Sequence, residues 1–546
     1  MDLLKGAVEK GCQQYPRSLQ TILSYGTAGI RMRADNLDYI LYRMGLLSVM
    51  FSKFRKGQVT GLMVTASHNP AEDNGVKLID TMGEMMPIAW EKHATQLLNV
   101  GDDKLEFSLE AIVKEEGIDI NIPAVVCTAM DTRPSSVQLS KAAVDGINAL
   151  GGESHNYGLL TTPQLHYIVC CINTKEQYGL PTEEGYYSKL TSAFLKFNKD
   201  KRTSKYLPGL HVDLANGVSA PKIKALKAYL NDSLEINIYN DGSSGKLNYE
   251  CGADFVKVGQ CPPSGIDLQQ GMRCASFDGD GDRIVYFYKK KDGQFALLDG
   301  DKIATLFASF LSDLVKASGL KLNLGLVQTA YANGSSTKYI TEIMKVPVAC
   351  VPTGVKHLHH KAGDFDIGVY FEANGHGTVL FSDAAQKSIL QQASDNSLDK
   401  DTREVAGQLI TAMNMINQTV GDAISDMLLV ETILAYRDWT CEDWDSAYTD
   451  LPSVLLKVKV EDRTIVKTTD AERKTTSPPG LQEAIDQLMA GYKFGRAFVR
   501  PSGTEDVMRV YAEADTKENA NKLAYEVGLQ VYDLARGIGD KPQLPA

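Results

Sequence analysis

The sequence has no uninterrupted apolar run that approaches the roughly 18 residues of a membrane span, so no membrane-spanning segment is expected. Charged residues interrupt the short apolar stretches at its start, which therefore do not resemble a signal peptide or an anchor. A long basic run is also absent, and 57 Lys and Arg against 68 Asp and Glu give a net charge of −11. Nucleic acid and anionic membrane are therefore not expected as partners.

Cysteine pairs and the common nucleotide motifs are missing as well. The nine cysteines form no C-x-x-C pair and are odd in number, which favours reduced thiols and a cytoplasmic protein. Without G-x-x-x-x-G-K-[ST], G-x-G-x-x-G or G-x-S-x-G, nucleoside triphosphate binding, dinucleotide binding and α/β-hydrolase chemistry lose their usual support. An anionic small molecule is still compatible with the charge, provided that local Arg, Lys and backbone N–H groups bind it.

The rest of the composition is that of a soluble globular protein, with 43% hydrophobic and 23% charged residues. Its 546 residues predict roughly three to five domains. Short β-rich runs alternate with amphipathic ones, which favours α/β domains with largely parallel sheets. Ala-Asn-Gly recurs at Asn216, Asn333 and Asn374 and indicates a weak internal repeat. The polar, aromatic segment "YRDWTCEDWDSAYTDLPS" is interpreted as a linker before a last domain of strand, loop, strand and helix.

The strongest chemical signal is "DGDGDR". Asp278, Asp280 and Asp282 alternate with glycines, a spacing that allows a tight loop to direct three carboxylates at one centre. Each pair of charges about 4 Å apart would repel by about 1 kcal/mol in water and about 4 at an effective dielectric of 20, so a cation is expected. Carboxylate oxygens favour Mg²⁺, and three protein ligands leave room for a phosphoryl oxygen.

Two alternatives compete with this metal site. An EF-hand loop also begins with alternating acids, but Arg283 stands where its glycine belongs and Lys289 where its closing glutamate belongs. A solvated acidic turn without a metal remains open.

A buried-looking strand ends in "TASHNP", which places Ser67 and His68 at its carboxyl end. These residue types also make ordinary turns, and that interpretation is about equally good on spacing alone. The functional interpretation gains from Asn74-Gly75, a turn that returns Lys77 toward the same end. Serine, histidine and lysine could then converge.

The segment "VRPSGTEDVMRV" predicts an anion site. Arg500 and Arg509 flank Ser502, Gly503 and Thr504, which supply guanidinium groups, hydroxyls and accessible backbone N–H groups. A second loop, "PTGVKHLHH", has histidines that could ligate zinc, but no cysteine or carboxylate pattern accompanies them, so a substrate loop is favoured.

Five motifs, "YGTAGIRMR", "TASHNP", "DGDGDR", "EANGHG" and "RPSGTED", occur in the order found in the α-D-phosphohexomutases, and together they span nearly the whole chain. The sequence resembles most the eukaryotic branch that acts on N-acetylglucosamine phosphates, on the route to UDP-N-acetylglucosamine. Two departures from the glucose and mannose branches support this. Asp131 and Arg133 follow the serine loop rather than precede it, and Asn374 stands where those relatives have serine.

The resemblance implies four domains around a central cleft: three similar mixed-sheet α/β domains and a smaller C-terminal α+β domain. We predict a phosphoserine-loop domain over 1–200, a metal-binding domain over 201–298, a sugar-binding domain over 299–440 and a phosphate-binding domain over 450–546.

The resemblance also implies the chemistry. Ser67 carries a phosphoryl group, ligates Mg²⁺ together with Asp278, Asp280 and Asp282, and exchanges phosphate with the sugar through a 1,6-bisphosphate. His68, Lys77 and Arg33 are the candidates for the general base by family position. The other predicted substrate contacts are Thr353, Gly354, Lys356, His357, Glu372, Ala373, Asn374 and Gly375 for the sugar, and Arg500, Pro501, Ser502, Gly503, Thr504 and Arg509 for the phosphate that is not reacting.

Specificity for an N-acetyl sugar is predicted at Asn374, whose amide can donate and accept hydrogen bonds, with Gly375 leaving space beside it. Activity on glucose or mannose phosphates, a metal-dependent phosphatase and a sugar-phosphate binder without catalysis remain alternatives. The sequence predicts an amino-sugar phosphate as the small-molecule partner. It gives no prediction of the oligomeric state.

Overall fold

The structure is a computed structural model that describes residues 2–26, 28–199, 203–503 and 506–544. The chain divides into two compact units. The first contains residues 1–300, 374–379 and 389–441, and the second contains residues 301–373, 380–388 and 442–546. The predicted four-domain division is finer than these units, and its boundaries stay a prediction.

The first unit begins with a five-stranded sheet that carries the serine loop. Its strands are β1 (Ile30–Arg33), β2 (Thr60–Val64), β3 (Asp73–Ile79), β4 (Ala124–Met130) and β5 (Gly152–Leu159). Their order is β1-β3-β2-β4-β5, with antiparallel pairs on the β3 side of β2 and parallel pairs on the β4 side. Strand β2 is buried along its whole length, which explains its apolar run.

Helices cover this sheet. They are α1 (Asp2–Gln14), α2 (Asp38–Phe54), α3 (Ile88–Asn99), α4 (Leu105–Glu115), α5 (Ser136–Ala149), α6 (Thr162–Asn173) and α7 (Glu183–Asn198). Helices α2 and α5 pack so closely that a Cβ atom at Gly146 would lie 2.1 Å from the carbonyl oxygen of Tyr42. This contact leaves no room for a side chain between the two helices.

A second five-stranded sheet carries the acidic loop, residues 278–283. Its strands are β6 (Gly209–Asp213), β7 (Glu235–Tyr239), β8 (Arg273–Phe277), β9 (Ile284–Lys289) and β10 (Phe295–Leu298), accompanied by α8 (Ser219–Lys227) and α9 (Ala253–Gly259). The order β10-β9-β8-β6-β7 again has two antiparallel pairs on one side of the central strand and two parallel pairs on the other. Both sheets are therefore mixed, as the resemblance implies, and the expectation of largely parallel sheets is wrong for them.

A four-stranded sheet follows in the order β12-β11-β13-β14, with β11 parallel to both neighbours. Its elements are α10 (Gly300–Ser318), β11 (Leu324–Thr329), α11 (Gly334–Lys338), β12 (Val348–Val351), α12 (Val355–Ala362), β13 (Ile367–Phe371), β14 (Gly377–Phe381) and α13 (Asp383–Ser394). "EANGHG" joins two neighbouring strands, as predicted. Two further helices, α14 (Lys400–Met415) and α15 (Ala423–Arg437), pack against α7 in the first unit.

The C-terminal part of the second unit has a three-stranded antiparallel sheet and a separate hairpin. Its elements are α16 (Cys441–Asp445), β15 (Ser453–Lys459), β16 (Lys467–Thr469), β17 (Lys474–Ser477), α17 (Leu481–Ala490), β18 (Arg496–Pro501), β19 (Val507–Glu513) and α18 (Lys517–Leu534). The predicted strand, loop, strand and helix are β18, β19 and α18. The linker interpretation is wrong for α16, because Trp444 is fully buried and its Nε1 donates to Lys302 O at 3.2 Å.

Two findings bear on the class of protein. No helix within the described ranges is both long and apolar enough to span a membrane. All nine cysteines carry free thiols, in agreement with the prediction from their number and spacing.

The contact between α2 and α5 gives a stability prediction. Gly146→Ala should lower the free energy of unfolding by about 1–3 kcal/mol, because the added methyl group overlaps the backbone of α2. Gly407→Ala in α14 is the matched control: no atom lies within 4 Å of its Cβ position, so this variant should gain about 0.5–1 kcal/mol. Chemical denaturation of both variants tests the difference, and equal effects would contradict the packing argument.

Candidate active site

Ser67 lies in the loop that follows β2 and is fully buried. Its backbone is left-handed, with φ 53°, a conformation that is uncommon outside glycine and is enriched at functional sites. The Oγ atom donates to Asp278 Oδ2 at 2.6 Å, so the serine loop and the acidic loop meet at this hydroxyl. A turn from Ala66 O to the Asn69 amide, 3.0 Å long, closes the loop behind it.

The shape of the serine loop is imposed by side chains distant in sequence. Arg133 Nη2 donates to the carbonyl oxygens of Ser67 and Asn69, both at 2.9 Å, while its Nε pairs with Asp131 at 3.0 Å. Asn248 Nδ2 donates to the same two carbonyl oxygens, at 2.8 and 2.9 Å. A planar guanidinium and an amide thus satisfy the buried backbone of a turn that has no sheet partners.

The three predicted aspartates do converge. Asp278, Asp280 and Asp282 are buried, and one oxygen of each lies within 4.8 Å of the others. The close approach of the two loops requires glycine between the aspartates, because a Cβ atom at Gly279 would lie 2.6 Å from Ser67 O. The Oδ1 atoms of Asp280 and Asp282 are buried and have no hydrogen-bond partner among the described residues. Asp282 Oδ1 also lies 3.4 Å from His376 Nδ1. These hard oxygens fit Mg²⁺.

Lys77 offsets part of this negative charge. Its Nζ lies 2.7 Å from Asp280 Oδ2 and 2.6 Å from Asp282 Oδ2. Burial raises the pKa of each aspartate, but the Lys77 ammonium outweighs it for Asp280 and Asp282, whose pKa values fall below their usual range. Asp278 has no such contact, and burial together with its two acidic neighbours holds its pKa well above the usual range. Burial acts against the Lys77 ammonium too, yet the carboxylates raise its pKa.

His68 also lies beside the serine, with Nδ1 3.5 Å from Ser67 Oγ and 3.4 Å from Arg31 Nη1. The charge of Arg283, then burial and the charge of Arg31, lower the pKa of His68 to about 2, so its ring is neutral. The structure thus brings Arg31 to the site, a residue that sequence reasoning did not select. The predicted Arg33 has an exposed side chain that lies 3.8 Å from Asp35, and its role stays a prediction.

The sugar loop is the segment 372–377 between β13 and β14, and its residues Gly375 and His376 contact the acidic loop and the start of β9. Gly375 has φ 89°, and a Cβ atom there would lie 1.9 Å from Ile284 O, the first residue of β9. Glycine is therefore required by the backbone contact, and the expectation that it leaves space for a sugar substituent stays a prediction. His376 Nδ1 lies 2.8 Å from Asp282 O, and Asn374 Oδ1 accepts from the His376 amide at 3.0 Å. Glu372 and Ala373 precede Asn374 at the end of β13.

The predicted substrate loop after β12 is held by the C-terminal hairpin within the second unit. The Thr353 amide and hydroxyl donate to Glu472 Oε2 at 2.9 and 2.5 Å, next to Gly354 at the start of α12. Lys356 is buried on that helix, and His357 is half-buried. His359 Nδ1 lies 3.0 Å from the Tyr370 hydroxyl, and the histidines of α12 join no metal-binding group in the described part of the chain, so zinc gains no support.

The predicted anion site lies on β18 and β19. Arg500 and Arg509 stand directly opposite each other in the antiparallel pair, where like charges repel. Both Nε atoms are buried and lack hydrogen-bond partners in the described ranges, although Arg500 Nε lies 3.3 Å from Glu472. Pro501 ends β18, and the Ser502 amide donates to Val507 O at 2.8 Å. Gly503 follows in the loop between β18 and β19 and is exposed. Thr504 lies outside the described residues.

Four residues of the two sites were missed by sequence reasoning: Arg31, Thr162, Asn248 and Glu472. Thr162 Oγ1 donates to Asp280 Oδ2 at 2.6 Å from the start of α6. Asn248 and Glu472 lie in irregular loops whose sequences carry no motif. Only Arg31 had a usable signal, because alternation along a strand places it on the same face as Arg33.

Comparison with known families matches four segments of the chain. Two match phosphoacetylglucosamine mutase AMG1, domain II over residues 177–285 and domain III over residues 299–439. The other two match the phosphoglucomutase/phosphomannomutase alpha/beta/alpha domain I over 24–104 and the C-terminal domain over 455–529.

Curated relatives decide between these two families. The chain is 55% identical to the phosphoacetylglucosamine mutase of Sus scrofa, over 100% of this chain and 99% of that protein. The chain belongs to the phosphoacetylglucosamine mutase family. It is also 54% identical to the Homo sapiens phosphoacetylglucosamine mutase, over the same shares of the two chains.

Solved structures agree with this membership of the phosphoacetylglucosamine mutase family. The N-acetylphosphoglucosamine mutase of Aspergillus fumigatus matches with a TM-score of 0.93 at 48% identity, covering 98% of this chain and 99% of that one. The same Aspergillus protein has been solved with GlcNAc-6P and magnesium, and it matches with a TM-score of 0.92 at 48% identity and the same coverage. The four-domain α/β fold is therefore confirmed.

The acidic loop gives a prediction for metal binding. Asp280→Asn should weaken Mg²⁺ binding at least about tenfold, because it removes one of three charges at close range. Isothermal titration calorimetry of the variant against wild type measures this. Asp401→Asn, on the exposed face of α14, is the matched control and should bind Mg²⁺ like wild type. Equal affinities in the two variants would mean that the loop is a solvated turn.

Proposed function

We propose that this chain interconverts N-acetylglucosamine 6-phosphate and N-acetylglucosamine 1-phosphate, with Ser67 as the phosphoryl carrier and a 1,6-bisphosphate as the intermediate. The observation that carries the proposal is the Ser67 hydroxyl, held 2.6 Å from Asp278 in a buried group of three carboxylates. The substrate follows from membership of a family whose relatives are named for it.

Ser67 supplies the oxygen that carries the phosphoryl group. In the forward half-reaction, the bond between phosphorus and Ser67 Oγ breaks, and a new bond forms to the free hydroxyl of the sugar phosphate, which loses its proton. In the second half-reaction, the bond between the other phosphorus of the bisphosphate and its sugar oxygen breaks, that oxygen takes up a proton, and the phosphoryl group forms a bond to Ser67 Oγ. When bound by Asp278, Asp280 and Asp282, Mg²⁺ supplies neutralisation of the charge on the transferring phosphoryl group.

The surrounding side chains hold this hydroxyl and move the proton. Arg133 and Asn248 fix the loop so that Oγ needs no reorientation between the two half-reactions. His68 is neutral and lies within reach of Ser67 Oγ, whereas Lys77 is held as an ammonium by two carboxylates. Among the candidates for the general base, His68 is therefore the uncharged one, whereas Lys77 is a donor in this arrangement and Arg33 stays a candidate by family position only.

The phosphate that is not reacting is assigned to Arg500 and Arg509, whose opposed guanidinium groups need an anion. Glu372 and Asn374 are assigned to the sugar. Gripping one phosphate while the other reacts uses binding energy remote from the reacting bond to position the substrate.

The proposal places the chain on the route to UDP-N-acetylglucosamine, in the cytoplasm, where its free thiols are stable. Nucleic acid and membrane surfaces are left out of the proposal because the net charge is −11.

The proposed role of Ser67 can be tested by ³¹P NMR. Protein incubated with N-acetylglucosamine 6-phosphate, Mg²⁺ and a trace of the bisphosphate should produce the 1-phosphate signal. Ser67→Ala should remove this activity almost wholly but leave folding intact, because only a hydroxyl is lost. Retention of more than a few per cent of activity in Ser67→Ala would refute the carrier role. Steady accumulation of inorganic phosphate by wild type would indicate a phosphatase instead.

The proposed role of Asn374 in specificity gives another prediction. Asn374→Ser introduces the residue of glucose-type relatives and should lower kcat/KM for the N-acetyl sugar phosphate more than for glucose 6-phosphate. The loss of one hydrogen bond, about 0.5–1.5 kcal/mol, corresponds to a few-fold up to about tenfold. Steady-state kinetics with both substrates measure the difference. An equal loss on both would assign Asn374 to hydroxyls that all hexoses share.

A further inference from the structure

Tyr331 lies in the loop between β11 and α11, within the second unit, and its ring packs on the strands that carry the two phosphate-site arginines. The ring meets Phe498 of β18 edge to face, with centroids 5.0 Å apart, and Tyr511 of β19 at 5.9 Å. Phe498 and Tyr511 are buried and stack on each other at 5.1 Å. This aromatic contact fixes the ring on two residues that lie two positions from Arg500 and Arg509 along their strands, and therefore on the same face of the sheet.

The backbone on both sides of Tyr331 is fixed as well. Arg496 donates from Nη1 to Ala330 O at 2.8 Å and from Nη2 to Ala332 O at 2.6 Å. The guanidinium is itself held by Glu513, with Nε to Oε1 at 2.8 Å and Nη2 to Oε2 at 2.9 Å. A buried, bidentate ion pair therefore positions the one residue between those two carbonyl groups.

The hydroxyl of this well-positioned ring has nothing to bind. Tyr331 Oη is buried and has no hydrogen-bond partner among the residues that the structure describes. Arg500 Nε and Arg509 Nε also lack hydrogen-bond partners there, although Arg500 Nε lies 3.3 Å from the Glu472 carboxylate. The Arg500 guanidinium carbon lies 5.8 Å from the centroid of the Tyr331 ring. Buried polar groups without partners are rare, and three of them on neighbouring elements, all of them donors, indicate a site built for an anion.

We propose that the Tyr331 hydroxyl donates a hydrogen bond to the phosphate monoester that Arg500 and Arg509 hold, so that the phosphate site includes a residue from outside the C-terminal domain. The inference rests on the proposed function, since it assumes that this phosphate belongs to the sugar substrate. Tyr331 is then a substrate-binding residue contributed by the loop after β11.

The state of the hydroxyl suits this role. Burial raises the pKa of Tyr331, the charges of Arg500 and Arg509 only partly oppose the rise, and the charge of Glu472 adds to it, so the phenol keeps its proton at neutral pH and can donate it.

A packing role and a binding role make different predictions for the phosphate affinity of Tyr331→Phe. If the ring only packs, phenylalanine keeps the packing, and neither stability nor phosphate affinity changes. If the hydroxyl donates only to a bound phosphate, its removal eliminates an unpaired buried polar group, so the free protein loses no stability. The phosphate complex, however, loses a charge-assisted hydrogen bond, so the phosphate affinity falls.

The test measures inorganic phosphate binding by isothermal titration calorimetry, the KM and kcat for N-acetylglucosamine 6-phosphate, and the melting temperature. Tyr331→Phe should raise the phosphate Kd and the KM about tenfold, with kcat nearly unchanged and a melting temperature no lower than that of wild type. Tyr492→Phe is the matched control, because its hydroxyl donates to Glu526 at 2.9 Å elsewhere in the second unit. It should leave phosphate binding and KM unchanged.

Two results would overturn the inference: an unchanged phosphate Kd in Tyr331→Phe, or a lowered melting temperature, which would show that the hydroxyl has a partner in the free protein. Failure of the proposed function is a separate outcome, in which wild type does not isomerise the sugar phosphate. The calorimetric comparison with inorganic phosphate still decides on Tyr331 in that case, because it needs no turnover.

Discussion

Burying three carboxylates in one loop is the constraint on which the rest of the first unit depends. Asp278, Asp280 and Asp282 follow a strand buried along its length, so water cannot screen their repulsion. The surrounding elements supply the compensation: an ammonium from β3, a hydroxyl from the start of α6, and the Ser67 hydroxyl itself. Each comes from a different part of the chain, so the fold has to assemble around the acidic loop.

The two five-stranded sheets solve this assembly in the same way. In each, the central strand pairs in parallel on one side, and on the other it runs through a loop into an antiparallel neighbour. Those loops are the serine loop after β2 and the acidic loop after β8, and the sugar loop likewise joins the neighbouring strands β13 and β14. The Ala-Asn-Gly sequences at Asn216 and Asn333 instead join a strand to a helix, and only the third, at Asn374, lies in such a loop. The predicted repeat of strand, turn and helix is therefore β6–α8 and β11–α11, and the shared loop position is a separate repeat of topology.

Local motifs in the sequence predicted the groups that converge at the candidate sites, but not the groups that hold them. "DGDGDR" was predictable because like charges at short spacing need a counter-ion. Arg500 and Arg509 were predictable because they flank hydroxyls and a glycine, a composition typical of an anion site. Arg133 could not be given its role, because it acts on carbonyl groups about 65 residues away, and a guanidinium that binds backbone leaves no sequence signature. The backbone role of Gly375 was missed for a related reason: the atom that excludes a side chain there belongs to Ile284, on another sheet.

The left-handed backbone at Ser67 bears on why the proposed carrier is a serine. Threonine has the same hydroxyl, but its branched β-carbon is a poor fit for a positive φ, where the side chain crowds the following carbonyl group. The carbonyl groups on either side of the turn are fixed by Arg133 and Asn248, so the backbone cannot rotate to relieve that crowding. The backbone of this loop thus favours serine over threonine by the shape of the side chain alone, in the absence of any phosphate.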